Sequence, residues 1–71
     1  MCLSIPAKIL EINGEIAKAE ISGNIIEVGL QLVEDVKIND YVLVHTGYAL
    51  QIIDKKEAEE TIRIIKNLNA H

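Results

Sequence analysis

Residues 16–30 read Ile16-Ala17-Lys18-Ala19-Glu20-Ile21-Ser22-Gly23-Asn24-Ile25-Ile26-Glu27-Val28-Gly29-Leu30. The first six alternate, with Ala17, Ala19 and Ile21 on one face and Lys18 and Glu20 on the other. That period of two belongs to a half-buried strand, because successive strand side chains point to opposite faces. Ser22-Gly23-Asn24 supplies the turn residues, and the alternation then resumes with Ile26, Val28 and Leu30 set against Glu27. Upstream, Ala7 to Ile12 is an apolar-rich run closed by Asn13-Gly14, the strongest short hairpin signal. Residues 7–30 therefore predict a three-stranded meander with one buried face. Ile9, Leu10 and Ile12 do not alternate cleanly, which calls for either a bulge or a strand buried on both faces.

Downstream, Gln31 to Asp40 is irregular, with Lys37-Ile38-Asn39-Asp40 reading as a turn. Tyr41 to Thr46 is a fourth strand rich in β-branched and aromatic residues, Gly47 interrupts it, and Tyr48 to Ile53 forms a fifth. Five short strands cannot cover both faces of a flat sheet in so little chain. A small closed or partly open barrel hides their edges and fits the length. From Asp54 the period changes. Asp54 is a good N-cap, Glu57 completes a capping-box-like pair, and Ala58, Ile62, Ile65 and Leu68 recur at helical spacing with Thr61 and Ile64 beside them. Acidic residues crowd the start of this helix and Arg63 and Lys66 its end, as the macrodipole favours. The reading is one domain over residues 1–71, mainly β: a five-stranded barrel over about 3–53 and a C-terminal α-helix over about 55–68.

Composition bounds the function. The 71 residues carry 11 acidic and 7 basic side chains, one cysteine, two histidines and neither tryptophan nor phenylalanine. One cysteine excludes an internal disulfide, and the three Cys/His residues are too few and too scattered for a four-ligand structural zinc site. No apolar run approaches the roughly 18 residues of a membrane span. No signal peptide is visible in Met1 to Ala7. A free cysteine without an export signal points to the reducing cytoplasm. Residues 54–71 sum to zero charge, so the barrel portion holds the whole −4. No paired carboxylates suggest a general acid and base, and no Gly-rich phosphate loop is present.

Few residues remain to carry chemistry. Cys2 has a bland reading as a small buried hydrophobe. Its position argues otherwise, since chain ends are usually exposed unless docked. Removal of Met1 would make Cys2 the N-terminus, with an amine and a thiolate able to chelate one soft or borderline metal. His45 shares a strand face with Tyr41 and Leu43, away from Val42 and Val44. Taken alone it is an ordinary structural or surface histidine, but Gly47 beside it gives the ring open access at a strand end. His71 is the last residue and carries no reading. Pro6 lacks an N–H, so it is a strand-entry residue that stiffens the segment after Cys2.

Met1-Cys2-Leu3-Ser4-Ile5-Pro6-Ala7-Lys8-Ile9 resembles the opening signature, Met-Cys-Leu-x-x-Pro, of the HypC/HupF family of hydrogenase maturation chaperones. The run from Asp40 to Leu50 resembles the second signature of that family, in which a histidine precedes Gly-aromatic-Ala. Length and the order of strands before helix match as well. Ala7 and Asn39 stand where glycine is common and Tyr48 where phenylalanine is usual; none of these departures removes a proposed ligand.

The resemblance implies an OB-like barrel and a non-enzymatic role in assembling nickel–iron hydrogenase. It implies work with a partner, HypD, on which iron acquires cyanide and carbonyl, and delivery of that iron to the hydrogenase large-subunit precursor. Cys2 matches the essential cysteine of the first signature and His45 the histidine of the second. Low-spin iron bearing cyanide and carbonyl is soft and prefers thiolate, so Cys2 is the expected anchor. His45 is then a second ligand or an outer-shell group that keeps the thiol deprotonated. With so few protein ligands the iron is transient cargo and no permanent cofactor is expected. Cys2, Leu3, Ile5 and Pro6 form the expected partner-binding segment. Three other classes fit less well. Nucleic-acid binding needs a basic groove with stacking aromatics, against a barrel at −4 with two tyrosines. A thiol enzyme lacks an orienting third group and an oxyanion site. A plain interaction module leaves both signatures unexplained.

Overall fold

The computed structural model describes residues 5–69, except for the side chains of Lys66, Leu68 and Asn69. Five strands, β1 (Ile5–Asn13), β2 (Ile16–Ile21), β3 (Asn24–Gly29), β4 (Tyr41–His45) and β5 (Tyr48–Ile53), precede one helix, α1 (Lys55–Asn69). They close into a barrel in the order β1-β2-β3-β5-β4. Neighbours are antiparallel except at β3 and β5, which run parallel and meet at a Gly29↔Tyr48 bridge.

The alternation in residues 16–30 sets the inward face as expected: Ala17, Ala19 and Val28 are buried, with Ile21, Ile26 and Leu30 packed against them. Ala7, Ile9, Val42, Val44 and Ala49 complete the interior. Alanine and valine dominate this list because a five-stranded barrel is narrow. Its centre is filled by these side chains. Among the described residues no polar or charged side chain is buried.

The ambiguity in β1 resolves as a bulge. Ile9 pairs with Ala19 but Glu11 pairs with Lys18, so Leu10 is the extra residue and turns outward, 37% exposed. Beyond it, Ile12 returns to the inner face opposite Ala17. The adjoining hairpin differs by one residue from the sequence expectation. Asn13 pairs with Ile16, so the central turn residues are Gly14 and Glu15, and only Gly14 has positive φ, +64°. That is the mark of a type II′ turn, which wants glycine first, in place of an Asn-Gly type I′ turn. Centring the turn on Asn13-Gly14 would set Ile9 opposite Lys18. The observed register sets apolar against apolar, and the buried face decides.

Residues 30–40 form the irregular connection foreseen. Lys37 to Asp40 is a turn closed by Asp40 N–H on the Lys37 carbonyl (3.0 Å) and by Lys37 N–H on Asp40 Oδ2 (2.9 Å). Val33 and Val36 lean on the core from this loop. Helix α1 begins where expected, its first backbone bond running from Ala58 N–H to the Asp54 carbonyl at 2.9 Å. Among the described residues no side-chain bond from Asp54 or Glu57 closes a capping box; instead Thr61 Oγ1 donates to the Glu57 carbonyl. The helix lies against β1 and β4. Ala58 is fully buried and Thr61, Ile62 and Ile65 are half-buried, while Ile64 is 60% exposed. Leu68 belongs to the same spacing, but its side chain is outside those described.

Candidate functional site

His45 is the last residue of β4, and its placement follows from the alternation in Tyr41-Val42-Leu43-Val44-His45. Val42 and Val44 fill the barrel, so Tyr41, Leu43 and His45 lie on its outer face, half-buried. A two-residue turn, Thr46-Gly47, joins His45 to Tyr48 at the start of β5, and the two stand directly opposite. Both turn residues have positive φ, +50° at Thr46 and +86° at Gly47, the pattern of a type I′ hairpin. Gly47 suits this backbone; a β-branched threonine does not. Strain is therefore held one residue from His45, with the Thr46 hydroxyl donating to the His45 carbonyl at 2.7 Å.

The other side of β4 carries the N-terminal run. Ile5 pairs with Val44, Pro6 with Leu43 and Ala7 with Val42, so the beginning of β1 lies alongside the end of β4 that bears His45. Pro6 is buried and pairs only with β4, since the β1–β2 ladder begins at Lys8; no ladder N–H is missed there. Ile5 is the described member of this run with apolar surface to offer, at 37% exposure. Cys2 and Leu3 lie outside the described residues.

Across the outer face the registers align Ile16, Gly29, Tyr48 and His45 in one row over β2, β3, β5 and β4. Gly29 N–H donates to the Gly47 carbonyl at 2.9 Å, which fixes the His45 hairpin to β3. The Tyr48 ring rests on Gly29: a Cβ there would lie 2.8 Å from Tyr48 Cδ1 and 2.9 Å from Cε1. A shallow cleft of about 280 Å³ beside it is lined by Ile16, Glu27, Gly29, Gln31, Gly47 and Tyr48. Sequence reading passed over Gly29. The available signal was a glycine inside a strand, which marks a close approach by another group.

Chemically, the described residues provide one half-buried imidazole on the outer face and no cluster of three or more His, Cys, Asp or Glu able to hold a metal. Ion pairing is confined, among the described residues, to exposed Lys18 and Glu11 at 3.7 Å on the strands β1 and β2. No described helix is long and apolar enough to cross a membrane.

The model of the HupF/HypC family matches residues 1–65. The chain is 45% identical over 67 residues to hydrogenase maturation factor HypC of Rhizobium leguminosarum bv. viciae, covering 93% of this chain and 89% of that one. It is 41% identical over 69 residues to the factor of the same name in Cupriavidus necator, covering 96% and 77%. With that of a Synechocystis species the identity is 35% over 68 residues, covering 87% and 90%.

Proposed function

Because this chain belongs to the HupF/HypC family, we propose that it is a hydrogenase maturation chaperone that carries iron through Cys2 with the support of His45. The observation that carries the reading is the β1–β4 register. It sets the strand that continues from the Cys2 segment beside the strand end that bears His45. His45 and the start of β1 thereby share one end of the barrel, and the Cys2 segment precedes that strand in the sequence.

The cargo is iron bearing cyanide and carbonyl, a soft centre for which the Cys2 thiolate is the natural ligand. His45 serves as a second ligand, or as the group that keeps the thiol ionised. Two protein ligands at most make a site from which cargo departs easily. A carrier needs that property, and an enzyme would not. HypD is the partner on which the iron is completed, and the large-subunit precursor of a nickel–iron hydrogenase is the recipient. The partner contact runs along Cys2, Leu3 and Ile5, with Pro6 stiffening the approach. Action is in the cytoplasm, and neither nucleic acid nor membrane is a partner.

The test is to capture this chain with HypD and record the infrared bands of the iron-bound cyanide and carbonyl. Cys2→Ala should abolish the bands on this chain; their persistence in full would overturn the anchor role. His45→Ala should weaken iron retention by about 10-fold or more, the usual size for losing a ligand's supporting group.

A further inference from the structure

We propose that Gly29 is a positioning residue for His45, acting by giving the Tyr48 ring a seat that keeps it off the imidazole. Tyr48 stands between two neighbours on the outer face, Gly29 on β3 and His45 on β4. Its ring has two ways to lean. Toward His45 it would cover the imidazole, since directly opposed side chains in an antiparallel pair have Cβ atoms about 4.5–5.5 Å apart. Toward Gly29 it needs the space where a side chain would otherwise stand. The ring takes the second course, lying within 3 Å of where a Gly29 Cβ would be, with Gln31 Oε1 crowding the same point.

Gly29 is not there for its backbone. Its φ is not among the positive values in the chain, unlike those of Gly14, Gly23 and Gly47. At those three positions an added Cβ would meet nothing within 4 Å. Gly29 is the reverse case, an ordinary strand backbone with no space for a methyl group. What the missing side chain provides is room for the ring. With the ring parked over β3, it does not cover the His45 imidazole from the β5 side.

This inference rests on His45 being the support for Cys2, and the test separates the two. In Gly29→Ala the new methyl group displaces the ring toward β4. The backbone tolerates alanine, so the fold survives. Nuclear magnetic resonance should then show the His45 ring protons moved upfield by the Tyr48 ring current. Iron retention should fall by about 10-fold, as for a lost orienting group. The double variant Gly29→Ala/Tyr48→Ala removes the displaced ring and should restore both readouts. Unchanged His45 resonances in Gly29→Ala, or a double variant no better than the single one, would overturn the positioning role. Loss of iron in His45→Ala, with full retention in Gly29→Ala, would overturn it while leaving the function standing. Full retention in His45→Ala would sink the reading on which it depends.

Discussion

Replacing Thr46 with asparagine should make this protein more stable. Thr46 sits at φ +50° as the first central residue of a type I′ turn. A left-handed conformation costs an L-residue roughly 1–2 kcal/mol, and β-branching places threonine at the upper end. Asparagine adopts that region readily, and Asn-Gly is the preferred type I′ pair. Against the gain stands the exposed bond from Thr46 Oγ1 to the His45 carbonyl, at 2.7 Å. Its loss costs about 0.5 kcal/mol, the low end for a solvent-exposed hydrogen bond. The net is a stabilisation of about 1 kcal/mol, which in a domain of this size raises Tm by about 4–8 °C. Circular dichroism melts of the two proteins decide the matter, with urea titrations to confirm an unchanged m-value. Ser22, at φ +48° in the equivalent place of the β2–β3 hairpin, is an internal control. It lacks the β-branch, so Ser22→Asn should gain less. A Thr46→Asn protein that melts at or below the wild-type temperature would refute the assignment of strain to this turn.

Other substitutions probe the remaining links. Ile9 is fully buried in a core of small side chains, so Ile9→Val should cost about 0.5–1.5 kcal/mol and Ile9→Ala about 2–5 kcal/mol by urea denaturation. Gly14→Ala meets no steric obstacle but must hold φ +64°, and should lose about 1–2 kcal/mol through the backbone alone. Ala19→Leu should destabilise by about 1–3 kcal/mol, because the barrel interior has no space for a larger residue. The −4 charge of the barrel portion predicts no salt-sensitive retention on oligonucleotides; tight binding that falls steeply with added salt would contradict that.

What the sequence disclosed depended on whether a feature was local. The period-two pattern in residues 16–30 fixed both strands and their inward faces, since each alternate residue had to be buried. The same logic put His45 on the outer face, because Val42 and Val44 claim the interior. The broken alternation at Leu10 correctly pointed to a bulge among its two options. The β1–β2 turn was displaced by one residue because local preference for Asn-Gly competes with long-range matching of Ile9 to Ala19, and the core prevailed. The β1-β2-β3 meander was legible, but the contacts that close the barrel, β3–β5 and β1–β4, were not. The parallel β3–β5 contact joins residues 29 and 48 through a bridge with no sequence periodicity of its own. The seat for Tyr48 on Gly29 escaped for the same reason. Each residue looks ordinary until the chain between them folds back.

The central claim concerns the thiolate. X-ray absorption at the iron edge, on this chain loaded with iron through HypD, tests it most directly. A sulfur scatterer in the first coordination shell, present in the wild type and absent in Cys2→Ala, is the predicted result. An iron centre with carbon, nitrogen and oxygen neighbours alone, or a spectrum identical in the two proteins, would contradict it.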